Sequence, residues 1–210
     1  MIQRTKYTLL ITLAMLLTLP ISAQGAAEVW LNKVTSKMQD KGVEINFRIN
    51  EEGMRIGGRL LMEGNNYYFD TDEMKIWYDG TTQWTLQIGF DDDELYINEP
   101  TLEEQQSINP CLLLSNYQND FTATEGKDKN IAGTLLHEVT LTAKDDAKGL
   151  SAVKVYIKST GELAAMHLIS NDNKVYKIDI RSMRSGLTFS KETFTYSEKE
   201  YPVDEVIDMR

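Results

Sequence analysis

Histidine and cysteine, which carry much of acid–base and nucleophilic catalysis, are scarce in this sequence. It has two histidines, His137 and His167, and one cysteine, Cys111. A hydrolase needs a nucleophile with a base, or a metal with its ligands, and neither histidine stands in a His-x-x-x-His or Cys-x-x-Cys pattern. Cys111 precedes three leucines, a context typical of a small buried apolar group. We therefore predict that the chain is not an enzyme and holds no metal and no cofactor.

Acidic residues are the remaining candidates for chemistry. Asp91, Asp92, Asp93 and Glu94 form a run, but it lacks the alternating oxygen ligands and the fixed glycine of a calcium loop. We expect a solvated turn there. The chain has 32 acidic residues, so a carboxylate pair for glycoside hydrolysis stays open as an alternative.

The N-terminus has the layout of a secretory signal peptide. Arg4 and Lys6 precede an apolar run over residues 7–19, Pro20 ends it, and Ala23 offers a small residue before a cleavage point at Gln24. The run is shorter than the roughly twenty residues that span a bilayer. We expect residues 1–23 to be a signal peptide and residues 24–210 to be one domain. Because no cysteine follows the cleavage point, we expect the mature chain not to be lipidated itself.

The charge of the chain excludes several classes of partner. The formal net charge is −10, and loss of Arg4 and Lys6 with the signal peptide would make it −12. A chain this acidic repels nucleic-acid phosphates and anionic lipid surfaces. One cysteine allows no internal disulfide. We predict no nucleic-acid partner and a monomer.

Hydrophobic spacing predicts an initial helix followed by many strands. Ala27, Leu31, Val34 and Met38 lie on one helical face, and Trp30 borders that stripe. From residue 43 the apolar period changes to two, which indicates half-buried strands. We expect strands at 43–50, 56–62, 67–70, 135–142, 152–158, 163–170, 174–183 and 189–196, and a polar loop at 118–130.

The Asp79-Gly80 pair predicts a hairpin with a two-residue turn. That register would place Trp77 opposite Thr82 and Lys75 opposite Trp84. One face of the hairpin would carry Trp77, Trp84, Leu86 and Ile88, and the other face would be polar. We expect the apolar face to point to the concave side of the sheet.

A helical interruption separates the two groups of strands. Thr101 and Glu104 form a capping box, and Asn109 with Pro110 suits the start of a second helix. A large sheet with one apolar face needs a cover. Two alternatives stay open: the helices fill this face completely, or they leave a pocket for an apolar ligand.

Three segments of the chain resemble the LolA-type outer-membrane lipoprotein carriers. The segments are Trp77-Tyr78-Asp79-Gly80-Thr81-Thr82-Gln83-Trp84, Asn98-Glu99-Pro100-Thr101 and Asn109-Pro110-Cys111-Leu112-Leu113-Leu114. The order of elements is also similar, from the first helix to Phe194-Thr195-Tyr196. The resemblance implies a mainly β (α+β) fold, namely an unclosed antiparallel half-barrel covered by an N-terminal helix and a helical lid.

The resemblance also implies a function and a site. The protein would be a periplasmic chaperone that takes lipoproteins from an inner-membrane transporter to an outer-membrane acceptor. We expect their acyl chains to occupy an apolar cavity, lined by Trp30, Leu31, Phe47, Trp77, Trp84, Leu86, Leu112 and Leu113. A lipid- or lipoprotein-sensing interaction domain on the same fold is the alternative. Such proteins usually carry an extra domain, and the end of the chain at Arg210 leads us to expect the carrier.

One departure from the family pattern concerns the lid. Family members often carry an Arg-Pro pair whose arginine tethers the lid. The corresponding stretch here is Met62-Glu63-Gly64-Asn65-Asn66-Tyr67, without arginine or proline. Arg59 is near in sequence, but the resemblance does not transfer the role to it. The sequence therefore does not indicate which residues hold the lid shut.

Overall fold

The computed structural model describes residues 23–39, 42–51, 53–89, 92–131, 133–145 and 149–210. The chain folds mainly into β-strands. Most of the predicted signal peptide, up to residue 22, lies outside the described residues, and so does Asp91 of the acidic run. No helix within the described part is long and apolar enough to cross a membrane. The elements are α1 (Ala23–Gln39), β1 (Gly42–Glu51), β2 (Met54–Glu63), β3 (Asn66–Thr71), β4 (Met74–Tyr78), β5 (Gln83–Gln87), β6 (Glu94–Asn98), α2 (Leu102–Ile108), α3 (Pro110–Asp120), β7 (Phe121–Glu125), β8 (Lys129–Ile131), β9 (Thr134–Ala143), β10 (Leu150–Lys158), β11 (Leu163–Ser170), β12 (Val175–Leu187), a 3₁₀ turn (Lys191–Phe194) and β13 (Glu205–Asp208).

The thirteen strands that the structure describes belong to one sheet, in the order β13-β6-β5-β4-β3-β2-β1-β12-β11-β10-β9-β7, with β8 paired to β9. Neighbouring strands are antiparallel except β13, which runs parallel to β6. The order ends at β7 on one side and at β13 on the other, so the curved sheet is an unclosed half-barrel. This confirms the predicted fold class.

The concave face of the sheet carries the larger core. In β1, Val43, Ile45 and Phe47 are buried, and the polar residues between them face the other way. The predicted stripe of α1 packs on the same core: Ala27, Leu31, Val34 and Met38 are all buried. The two-residue period gives the strand an apolar face, and the 3–4 spacing gives the helix one. These two faces therefore pack in the same core.

The convex face carries a second, smaller core over β2–β6. Its buried members are Leu61, Tyr68, Trp77, Leu86, Leu95 and Phe194. The C-terminal segment covers this patch: the Trp77 ring lies 5.5 Å from the ring of Tyr196 and 5.1 Å from that of Tyr201. The protein thus buries apolar groups on both faces of the same strands.

The predicted register of the Asp79-Gly80 hairpin is wrong by two residues. Trp77 pairs with Trp84, and Lys75 pairs with Leu86. Asp79 Oδ1 accepts hydrogen bonds from the backbone N–H groups of Thr81 at 3.0 Å and Thr82 at 2.9 Å. These bonds hold a four-residue loop in place of a two-residue turn. A shift of two residues preserves which side chains share a face.

Two predicted segments differ in secondary structure. Residues 189–196 are not a strand but an irregular segment with a 3₁₀ turn, because Phe189 and Phe194 both turn onto the convex core instead of alternating. Residues 118–130 are not all loop. Phe121 and Ala123 are buried and alternate with exposed polar residues, which makes β7 an edge strand.

Candidate functional site

A cavity of about 490 Å³ lies between the concave face of the sheet and helices α2 and α3. Its size is within the roughly 300–1,000 Å³ of small-molecule sites. Apolar side chains form most of its wall, and the polar ones are few. The lining residues are Ile45, Phe47, Ile49, Leu60, Phe69, Met74, Ile76, Glu103, Gln106, Ser107, Ile108, Pro110, Leu113, Phe121, Leu150, Leu163, Met166, Leu168, Tyr176, Ile178 and Ile180. The helices therefore leave a pocket, and the filled-core alternative is wrong.

Local sequence determines how the two lid helices begin. Thr101 caps α2: its Oγ1 accepts from the Glu104 N–H at 3.3 Å, and the Glu104 carboxylate accepts from the Thr101 N–H at 2.7 Å. Asn109 caps α3, with its Oδ1 accepting from Cys111 N–H at 2.9 Å, and Pro110 occupies the first helical position. Both caps confirm the sequence prediction.

Packing and a few polar contacts hold the lid on the sheet. Leu113, Leu114 and Tyr117 of α3 belong to the concave core. Gln39 at the end of α1 donates from Nε2 to Ser115 Oγ at 3.1 Å. The two lid helices are only seven and eleven residues long, and isolated helices of such length are marginal in water. The stability of the lid therefore depends on its contacts with the sheet and with α1.

Buried tyrosines lie beside the lid on the concave face. Tyr67 donates to Gln83 Oε1 at 2.5 Å, and its ring lies 5.0 Å from that of Tyr78. Burial raises the pKa of both phenols, and the side chain of Gln105 in α2 reaches Tyr78 and opposes the rise. Both groups are therefore neutral hydrogen-bonding partners at neutral pH.

Comparison with protein families identifies one that covers most of the chain. The family described as outer membrane lipoprotein carrier protein LolA matches residues 18–167, which are 150 of the 210 residues. The chain belongs to the LolA family. Members of this family are binding and chaperone proteins of the bacterial envelope that handle lipoproteins. No curated protein matches the chain.

Solved structures share the fold at low sequence identity. An uncharacterized conserved protein from Thermus thermophilus is 10% identical with a TM-score of 0.60, over 87% of this chain and 99% of that one. A chain in the complex of Pseudomonas aeruginosa MucA and MucB is 11% identical with a TM-score of 0.51, over 83% of this chain and 62% of that one. At these identities the likeness concerns the fold alone.

The arginine of the LolA pattern has no counterpart among the described residues that line this cavity. Arg59 lies on the convex side of β2, where it pairs with Asp70 at 3.5 Å and approaches the Tyr68 ring at 5.8 Å. It is therefore on the opposite side of the sheet from the lid. In this LolA-family protein, the Gln39–Ser115 bond and the buried α3 side chains hold the lid.

Two of the eight predicted cavity residues line the cavity, namely Phe47 and Leu113. Leu31 is buried in the concave core without reaching the cavity. Trp30 packs at the edge of that core, and its ring stacks on His137 at 3.7 Å. Leu112 is half-buried on α3 and is not part of the lining. The prediction thus included β1, β4 and α3, which line the cavity, but also α1 and β5, which do not.

The placement of Trp77, Trp84 and Leu86 on the cavity side is wrong. These side chains belong to the convex core, on the face opposite the cavity. The hairpin is apolar toward the C-terminal segment, and on the lid side β5 is polar whereas Met74 and Ile76 of β4 line the cavity. Alternation separates two faces of a strand, but the strand alone does not specify which face is concave.

The sequence prediction missed most of the lining residues, although a signal for some was present. Ile45 and Ile49 share the two-residue period of Phe47 in β1, so the face that contributes Phe47 contributes them as well. No such periodic pattern indicated that α2 would contribute Glu103, Gln106 and Ser107 to the lining. Their position at the cavity follows from how α2 lies across the sheet.

The two histidines and the cysteine lie outside the cavity. His137 Nδ1 lies 3.1 Å from Asp128 Oδ1 and its Nε2 lies 3.3 Å from Ser159 Oγ, two polar partners that the sequence pattern did not indicate. The order resembles a Ser-His-Asp triad, but none of the three lines the cavity and Asp128 is exposed. Trp30 of α1 stacks on the His137 ring, so the contacts among Asp128, His137 and Ser159 attach α1 to the sheet.

Neither Cys111 nor His167 is activated. Burial raises the pKa of the Cys111 thiol, which disfavours the reactive thiolate. Burial, with the charges of Lys177 and Lys129, lowers the pKa of His167. Among the described residues, no group of three or more His, Cys, Asp or Glu side chains could hold a metal ion.

Proposed function

We propose that this protein is a periplasmic carrier that shields the acyl chains of lipoproteins in the cavity and moves them from the inner to the outer membrane. The observation that supports this proposal is the apolar cavity of about 490 Å³ beneath a two-helix lid. An inner-membrane lipoprotein-releasing transporter supplies the cargo, and an outer-membrane acceptor receives it. The carrier acts as a monomer.

Energetics favour a lidded cavity for this task. Removing an acyl chain from water is worth about 0.8 kcal/mol per methylene, so ten enclosed methylenes gain roughly 8 kcal/mol. A carrier must keep the acyl chain out of water during transport and must later release it. The short helices α2 and α3 depend on packing for their stability, so release of the ligand requires their packing on the sheet to loosen. Opening exposes Leu113 and the cavity together.

The N-terminal pattern supports a periplasmic location. Residues 1–23 act as a signal peptide in this proposal, and the mature chain begins at Gln24. N-terminal sequencing of protein from the periplasmic fraction should give Gln-Gly-Ala-Ala. Retention of Met1 would place the protein elsewhere and overturn the assigned compartment.

The function is tested in two measurements on the mature protein. Lipids that co-purify from periplasm are extracted and identified by mass spectrometry, and acyl-bearing species are expected at close to one per protein. Membranes loaded with labelled lipoprotein are then incubated with the protein and centrifuged. The carrier should bring lipoprotein into the supernatant and deliver it to outer-membrane vesicles. A protein with no bound lipid and no release activity would contradict the proposal.

A sensing domain is the second candidate, favoured by the similarity in fold to a chain of the MucA–MucB complex. A sensor binds lipid and changes its affinity for a protein partner, and it need not move cargo. The release experiment separates the two functions. A sensor binds acyl chains presented in solution but leaves the lipoprotein in the membrane pellet.

A further inference from the structure

The polar part of the cavity lining has a marked charge bias. Glu103 is the only carboxylate among the described residues that line the cavity, and no lysine or arginine is among them. The other polar lining groups are the amide of Gln106 and the hydroxyls of Ser107 and Tyr176. Glu103 is exposed, whereas Gln106 is 6% exposed. The carboxylate therefore lies where the cavity meets solvent.

A surface recess next to the cavity is also acidic. Met74 lines the cavity and also a neighbouring surface recess, which carries the carboxylates of Glu73, Asp92 and Glu94. The whole chain has a formal net charge of −10. Carboxylates are therefore present both on the lid and on the surface next to the cavity.

This arrangement determines which acyl compounds fit. The apolar wall takes the hydrocarbon chain, and the head group that cannot enter stays at the opening beside Glu103. We propose that Glu103 is a specificity-determining residue that disfavours anionic head groups, so the cavity takes acyl chains on neutral or zwitterionic groups. This inference rests on the proposed acyl-binding function. An anion several ångströms from a carboxylate at a solvated site should bind roughly fivefold more weakly.

Two lysolipids with the same acyl chain test the inference. Lysophosphatidylcholine is zwitterionic and lysophosphatidylglycerol is anionic, and each is titrated below its micelle concentration against the neutral fluorescent probe N-phenyl-1-naphthylamine bound to the protein. The expected ratio of dissociation constants is about five in favour of the choline lipid. Glu103→Gln should lower the ratio toward one, and Glu103→Lys should reverse it. High salt should also reduce the ratio in the parent protein, because solvent-exposed charges are screened.

Glu200→Gln is the matched control. Glu200 is an exposed carboxylate in the C-terminal segment, next to Tyr201 of the convex core, and it does not line the cavity. Its loss changes the net charge equally and should leave the ratio at about five. A parent ratio of one, or the same change in both variants, would overturn the role of Glu103 while leaving acyl binding intact. Failure of both lysolipids to displace the probe would overturn the proposed function itself, and this inference with it.

Discussion

Two adjacent leucines of α3 allow a sharp test of whether the lid encloses a ligand cavity. Leu113 is 8% exposed and lines the cavity, whereas Leu114 is 1% exposed and packs in the concave core away from it. We expect Leu113→Glu to give a folded protein without acyl binding. We expect Leu114→Glu to give an unfolded or insoluble protein.

The magnitudes follow from what surrounds each side chain. Losing a buried leucine costs about 1.5–3 kcal/mol in either variant. At Leu113 the new carboxylate faces a cavity of about 490 Å³, where water molecules can hydrate it, so it adds little. At Leu114 it is enclosed by apolar side chains and adds several kcal/mol. A total of about 5 kcal/mol or more exceeds much of the stability of an ordinary domain, which is roughly 5–15 kcal/mol.

Circular dichroism, probe binding and release of lipoprotein from donor membranes separate the outcomes. For a chain of this size, Leu113→Glu should lower Tm by about 5–10 °C and abolish binding and release. If Leu113→Glu unfolds as Leu114→Glu does, Leu113 acts as a core residue and not as part of the wall of a ligand site. If it folds and still releases lipoprotein as the parent does, the lid has no part in the mechanism.

Three further predictions concern stability. Gly80 has a φ of +101°, and a Cβ there would lie 3.1 Å from Asn66 Oδ1. Gly80→Val should therefore cost about 1–3 kcal/mol in urea unfolding, while an unchanged midpoint would rule out the strained turn. Burial raises the pKa of Glu138, but the hydrogen bond and charge of Lys129 outweigh burial and lower it; this stabilisation should be present at neutral pH and lost as the pH falls below about 4. Glu138→Gln should accordingly lose less stability than the parent between about pH 6 and pH 3.5, and equal losses would exclude the coupling. Phe194→Ala should cost about 3–5 kcal/mol but leave probe binding intact, because the convex core does not line the cavity; lost binding in a folded variant would contradict that separation.

Features that depend on neighbouring residues could be predicted from the sequence. The Thr101–Glu104 capping box and the Asn109 cap are satisfied by atoms within three residues, and the structure contains both. The apolar stripe of α1 is also present as predicted, because a helix buries the face that its spacing makes apolar. The unclosed half-barrel was predicted through the resemblance of the hairpin and the lid segment to the LolA family.

The position of the hairpin tryptophans could not be predicted in the same way. Trp77 and Trp84 share a face in both registers, since a shift of two residues preserves alternation. Which side of the sheet that face occupies depends on the C-terminal segment. Tyr196 and Tyr201 lie more than a hundred residues later and cover Trp77 on the convex side. The loop has four residues and not the predicted two because the Asp79 carboxylate accepts hydrogen bonds from two backbone N–H groups.

The sequence by itself determined the periods, the caps, the charge and the apolar strand faces, because each of these depends on residues close together along the chain. The tertiary structure alone decided which apolar face is concave, which residues reach the cavity and where the lid lies. Phe47 from β1, Leu113 from α3 and Ile178 from β12 meet at the cavity, although β12 begins more than sixty residues after Leu113. Their meeting depends on the curvature of the whole sheet and on the distance at which the lid packs. The hydrophobic effect is roughly proportional to the apolar area removed from water and is not directional. The local sequence pattern therefore does not specify which surface an apolar face packs against.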